Sequence, residues 1–482
     1  MHTLLKRVKN MAQQASTVED KAAVSRFRLV FAVVAAGVAM SNLDLFVVNV
    51  AIPNISSHFD EASLSSLSWV LNAYAVVFAA LLVPAGSFAD RTGPRRAYLL
   101  GISLFTVASV LCAVAPSVWF LVAARVAQSA GAALLIPASL GILLAAAPPE
   151  QRGSAVRNWA ALSGLAAALG PVIGGALAQA DWRWIFLINL PVGIATVIVG
   201  RRAIAPSPRR TDTGRGDLIG AALLTAGIGA VALGLVKAPD WGWSSGSVAI
   251  TLAAAVVLLA LFVWRSAKHP APVLPLDLLR IPAMGPAMLA NLLFAVAFAA
   301  MLLSAALWCQ DVWHWSALQT GLAISPGPLM VPLLSKYAGM LVQRFGAAVV
   351  STVGCALFAI GLVWWIAALS VDDHDYVLGL LPGMVLTGIG VCFTLPTLVG
   401  AAVTRVPPTN FSTGSGVVTM ARQAGGVVGV AGLVAVLGKP HGAAAMDAFR
   451  HGWIFTLVAT VAAAAACCLL LPHTKPAAGA GT

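Results

Sequence analysis

The chain has 482 residues, of which 60% are hydrophobic and 10% charged, and its mean hydropathy is +0.90. A soluble domain carries about 25% charged residues, so an ordinary aqueous surface is excluded and the composition is that of an all-α polytopic membrane protein. The formal net charge of +12 does not point to nucleic acid, because the bases collect in loops on one side of the predicted spans.

In chain order, residues 1–28 form a basic tail containing Lys6, Arg7, Lys9, Lys21, Arg26 and Arg28. It resembles the n-region of a signal peptide. The apolar run after it, about 29–52, is long enough to span and lacks a small-residue cleavage site, so it reads as a retained first helix. Further runs lie at about 66–89, 97–115, 119–146, 155–179, 184–200, 217–236, 246–265, 285–308, 317–342, 347–369, 377–402, 412–437 and 452–471. Fourteen spans are therefore predicted, each near the ~20 residues that cross the hydrocarbon. The third and fourth are separated only by Ala115-Pro116-Ser117-Val118. The six cysteines fall mostly inside these runs without metal-ligand or paired spacing and read as core residues.

Of the 29 Lys and Arg, Arg183, Lys237, Lys439 and Arg450 fall on one side and Arg125, Lys336 and Arg422 within spans; the other 22 share the opposite side. That imbalance predicts both termini in the cytoplasm of a cell with the chain in its inner membrane. Lys336 is close enough to the inner edge to snorkel. Outer loops are acidic and aromatic, as in Asp311–Trp315 and Asp372–Tyr376. They read as interfacial anchors or, less simply, as a cation-attracting vestibule.

No loop is large enough for a soluble catalytic domain, no phosphate-binding G-x-x-x-x-G-K-[ST] loop occurs, and no His/Asp/Glu cluster lies within a span. Enzymatic activity, metals and cofactors are not expected. An internal repeat is visible instead. Gly86–Gly93 matches Gly339–Gly346 at an offset of 253 residues, Pro137 matches Pro396 at 259, and Trp184-Ile185-Phe186 matches Trp453-Ile454-Phe455 at 269. The predicted organisation is a tail (1–28), a six-helix half (29–200), a basic loop with two extra helices and a linker (201–284), a second six-helix half (285–471) and a tail (472–482). Transporters commonly place their substrate site between such repeats near mid-membrane.

Gly86, Asp90, Arg91 and Gly93 resemble the loop signature G-x-x-x-D-R-x-G-R-R of the major facilitator superfamily, with Pro94 displacing the first base and Arg95 and Arg96 remaining. Gly164 to Gly175, GLAAALGPVIGG, resembles the superfamily's drug/proton antiporter motif of the fourteen-span branch. There Gly170 and Gly174 share a face with Pro171 between them, and Gly164 and Gly175 bracket the motif. Close packing alone would explain such spacing, whereas a kinked gate between halves would explain the whole motif. Arg125 to Gly131, RVAQSAG, resembles the family's R-x-x-Q-G motif with Ser129 at the usual glycine.

Asp44, in LDLFVVNVAIP, is the only acid inside any predicted span, and an intramembrane carboxylate is by default a functional residue. It lies about 12 Å below the outer edge, and Arg125 about 9 Å below it, at 1.5 Å per residue. The two can pair. The pair serves either to hold the bundle together or, balanced between burial and an opposite charge, to exchange protons. Asn49, Gln128, Arg422 and Gln423 are candidates for the substrate cavity, a packing role being the alternative for Arg422 and Gln423. The resemblance implies a monomeric exporter of amphipathic drugs or toxic metabolites in exchange for protons; a proton-coupled importer of a small metabolite is the alternative. In some relatives a second intramembrane acid accompanies acceptance of divalent cations, and none is visible here.

Overall fold

The computed structural model of the protein describes residues 27–45, 47–48, 51, 54–59, 64–206, 217–371, 374–438 and 444–472. Most of the basic N-terminal tail, Asn49, the Arg209–Arg215 loop and most of the C-terminal tail lie outside the described residues. The helices, in chain order, are α1 (Phe27–Leu45), α2 (Leu64–Thr92), α3 (Pro94–Ala113), α4 (Val118–Ala146), α5 (Arg152–Ala180), α6 (Trp184–Leu187), α7 (Asn189–Ala203), α8 (Leu218–Trp241) and α9 (Gly246–Lys268). They continue with α10 (Met284–Leu307), α11 (Ala317–Ile324), α12 (Pro326–Phe345), α13 (Ala347–Ala368), α14 (Leu381–Val403), α15 (Phe411–Leu437) and α16 (Ala444–Leu470). No strand occurs among the described residues.

Local chemistry sets the joints. Gly93 and Gly346 adopt φ of 100° and 86°, a region that a side chain strains, and each ends one helix and starts the next. These two glycines are the last residues of the repeated loop motif. Ser117 caps α4 by accepting a bond from the Phe120 amide at 3.3 Å, so the short third–fourth boundary does separate two helices. Asp217 caps α8 through the Gly220 amide at 2.8 Å and pairs with Arg265 of α9 at 2.6 Å, tying these consecutive helices together.

Twelve helical segments among the described residues are long and apolar enough to cross a membrane. The runs expected at 155–179 and 317–342 are not among these twelve. The first forms the unbroken helix α5; the second is stepped at Ser325 into α11 and α12, where Pro326 and Pro328 withdraw two backbone donors. Trp313, read from sequence as an interfacial anchor, packs against Trp308 and is nearly fully buried, and Trp182 meets Phe186 edge-on and is buried as well.

The repeated sequence is matched by repeated packing. A Cβ added at Gly101 of α3 would lie 2.8 Å from the Gly131 carbonyl of α4, and one at Gly354 of α13 would lie 2.9 Å from the Gly390 carbonyl of α14. These pairs stand at the same sequence offsets as the repeated motifs, 253 and 259. Backbones that approach so closely need glycine, and such contacts are how membrane helices gain packing energy without a hydrophobic driving force.

Candidate functional site

Asp44 stands one residue from the end of α1, and four other helices converge on it. The Asp44 Oδ2 accepts from an Arg125 guanidinium nitrogen, with the two side chains 0% and 1% exposed. Its Oδ1 accepts from Gln128 Nε2 at 2.9 Å and from Asn189 Nδ2 at 3.2 Å. The Ser109 hydroxyl accepts from the same two amides, at 2.8 and 3.3 Å, and donates to the Phe105 carbonyl. Arg125 also donates to the Val70 carbonyl at 3.2 Å and to Gln128 Oε1 at 2.7 Å, and its guanidinium lies 4.2 Å from the centre of the Tyr74 ring. Helices α1, α2, α3, α4 and α7 thus share one polar cluster inside an otherwise apolar bundle.

The depth match between Asp44 and Arg125 predicted their pairing. Gln128, expected in a substrate cavity, instead belongs to this cluster: three residues beyond Arg125 on α4, it lies on the same helix face. Asn189 and Ser109 were not singled out from sequence. The available signal was a lone amide, Asn189, within the apolar stretch WIFLINLP.

All donors to the carboxylate are filled by its charged form. Through this carboxylate the Arg125 guanidinium and the Gln128 amide of α4 are tied to α1.

At one end of the bundle, Asp90 accepts from the Ser412 amide at 3.0 Å, the Thr413 amide at 2.7 Å and the Thr413 hydroxyl at 2.6 Å. It thereby caps the first turn of α15 from α2, where anionic groups are favoured by free amides and the helix dipole. Gly86, one turn earlier, lets the chain close up: an added Cβ would lie 2.5 Å from the Ser412 carbonyl. Arg91 donates to the Ala271 and Pro272 carbonyls at 2.8 and 3.1 Å, Arg95 to the Arg201 carbonyl, and Arg96 is exposed. In the second copy of the motif Gln343 stands in place of the acid, and Gly339 is filled by the Arg157 guanidinium of α5. A cavity of about 340 Å³ lies beside that contact, lined by Gly153, Arg157, Val342, Gly346 and Thr404 among others.

The α5 glycines face two different helices. Gly164 meets α12, where a Cβ would lie 3.0 Å from Val331 Cβ. Gly174 meets the continuation of the first helix, with Val47 Cα at 2.9 Å. Gly170 and Gly175 are buried, and Pro171 falls within the helix. Arg422 and Gln423 are half-buried on α15 and have no hydrogen-bond or ion-pair partner among the described residues.

A bundle of apolar helices around a buried charge cluster, with no strand among the described residues and close glycine contacts between its repeats, has the architecture of a multi-pass membrane protein. Residues 34–430 match the model of the Major Facilitator Superfamily, and the chain belongs to that family. It is 34% identical over 405 residues to the multidrug resistance protein Stp of Mycobacterium tuberculosis, covering 83% of this chain and 74% of that one. It is 32% identical over 416 residues to the methylenomycin A resistance protein of Streptomyces coelicolor, covering 85% and 86%. The crystal structure of the human organic anion transporter MFSD10 has the same fold, with a TM-score of 0.61 at 14% identity, over 90% of this chain and 99% of that one.

Proposed function

We propose that the protein exports amphipathic small molecules across the inner membrane in exchange for protons, by alternating access between two six-helix halves. The observation that carries this reading is the Asp44 cluster, in which a fully buried carboxylate inside the bundle is held by an arginine and two side-chain amides. In this reading Asp44 takes a proton from outside, releases Arg125 and Gln128, and so loosens α1 from α4. Since Gly174 of α5 packs on Val47, three residues beyond Asp44, that change reaches the helix whose Gly164 faces α12. The Asp90 cap on α15 closes the inner end while this happens. Two relatives named for resistance to drugs or an antibiotic support outward transport.

Everted vesicles carrying the protein test the exchange. A lumen made acid should drive an amphipathic dye that carries no positive charge inward, a protonophore should collapse that uptake, and Asp44→Asn should abolish it without loss of protein from the membrane. Accumulation driven instead by an acid exterior would make the protein an importer. Ser245, in the turn between α8 and α9, should react as a Cys variant with an impermeant maleimide added to intact cells, as an inward-facing N-terminus requires.

A further inference from the structure

Resting on the export reading, the interior of the bundle holds a second charge that the proton step leaves unused. We infer that Arg422 is the binding group for an anionic head on the substrate, so that the exported compounds are amphipathic carboxylates or similar oxyanions. The residue sits in the middle of α15, in the stripe Ser415, Thr419, Arg422 and Gly426, whose spacing places them on one helix face. Ser415 and Thr419 are 1% and 6% exposed, so this stripe faces protein and not lipid. The neighbouring face, Val418, Ala421, Gly425 and Gly429, packs on α10, where the Asn291 amide donates to the Val418 carbonyl at 3.1 Å. Added Cβ atoms at Gly425 and Gly429 would collide with α10 carbonyls, whereas one at Gly426 would make only ordinary contact, with Ala299 Cβ at 3.9 Å. The helix is therefore tight against α10 at Gly425 and Gly429 and packed less closely at Gly426, one turn beyond Arg422.

No protein carboxylate serves this guanidinium. Among the described residues only Asp44 and Asp217 are buried acids; Asp44 holds Arg125, and Asp217 holds Arg265. Arg422 has no hydrogen-bond or ion-pair partner among the described residues. Asn291 Oδ1 on α10 and the Ser415 hydroxyl, two turns before Arg422 on α15, are buried and equally without partners. An unpaired cation within a span is costly and is kept where it meets a ligand or water-filled space. A guanidinium presents a planar fork that matches a carboxylate through two parallel bonds. The same charge repels cationic amphipaths, which gives selectivity by exclusion. The two charges thus divide the work, with the proton on Asp44 and the anion on Arg422.

The test is equilibrium binding to the full-length protein in nanodiscs without any gradient, with empty discs subtracted. The probes are 1-naphthoate, the neutral 1-naphthamide and 1-naphthylmethylammonium. Wild type should bind the carboxylate about tenfold or more tightly than the amide, as hydrogen bonds to a charged group provide, and should bind the ammonium most weakly. Arg422→Gln should bring carboxylate and amide within about twofold, and Arg422→Lys should keep most of the preference. Wild type without a carboxylate preference, or Arg422→Gln with the preference intact, overturns the inference. Wild type and Arg422→Lys decide the matter even if Arg422→Gln does not fold. Because no gradient is applied, failure here leaves proton-driven export standing, and failure of the vesicle experiment leaves the anion site standing.

Discussion

Replacing Asp44 by Asn separates a structural ion pair from a proton carrier when it is combined with a change at Arg125. The single variant leaves the guanidinium buried with the Val70 carbonyl, Gln128 Oε1 and an amide oxygen in place of the carboxylate. Breaking a buried pair costs about 3–5 kcal/mol, and the surviving acceptors place this case near the lower end, about 3 kcal/mol. Asp44→Asn/Arg125→Gln removes both charges and keeps amides that can bond one another, and replacing both members of a buried pair is commonly neutral. Unfolding of the purified protein by SDS in mixed micelles should therefore show a large loss for the single variant and near-complete recovery for the double. Uphill export in vesicles should be absent from both. If stability and uphill export return together in the double variant, Asp44 is only a structural partner of Arg125 and the proton is carried elsewhere.

Gly174→Ala should impair transport far more than abundance, since its Cβ would lie 2.9 Å from the Val47 backbone, and overpacking costs about 1–3 kcal/mol. Gly400→Ala, with nothing within 4 Å, is the control and should be neutral. Asp90→Ala should remove about 2 kcal/mol of capping from α15, or roughly thirtyfold in the closed population. A Cys at the buried Ser415 should then react with an impermeant maleimide many times faster, and an unchanged rate would show that the cap does not hold this end shut. At Asp217, burial alone would raise the carboxyl, but the Gly220 amide and Arg265 more than offset it and hold it below the ordinary carboxylate range. Its contribution is thus present above about pH 4 and is lost as pH falls through the lowered value. Since Asn caps a helix as well as Asp, Asp217→Asn loses only the charged bond to Arg265, so the thermal midpoints should differ at pH 7 by the equivalent of about 1–2 kcal/mol and converge in strong acid.

Most helices were legible because hydrocarbon demands long apolar runs, and run edges then fix depth at 1.5 Å per residue. That arithmetic paired Asp44 with Arg125 across 81 residues of sequence. It could not find Ser109 or Asn189, because one hydroxyl or amide scarcely lowers the hydropathy of a span and nothing local reveals which face it occupies. The step at Ser325 was written in Pro326 and Pro328, yet apolar content on both sides concealed it. The α5 motif marked close approach correctly in kind, since glycine spacing reports contact. It could not name the partners, since Gly164 and Gly174 touch helices far apart in the chain. The packing of Trp313 was hidden for a related reason: an indole beside charged residues suits an interface or a packed aromatic cluster equally well.

The two copies of the loop motif do not fasten the bundle equally. Between α2 and α15 a carboxylate holds two amides and a hydroxyl, and Gly86 and Gly416 bring backbones into contact. Between α12 and α5 the corresponding acid is Gln343, the glycine is covered by the movable guanidinium of Arg157, and a hollow of about 340 Å³ already lies alongside. A box with a riveted edge and a clasped edge opens at the clasp. The α2–α15 edge then parts last, when Asp90 lets go of α15, and the first gap to appear on this side of the bundle is the one beside Arg157.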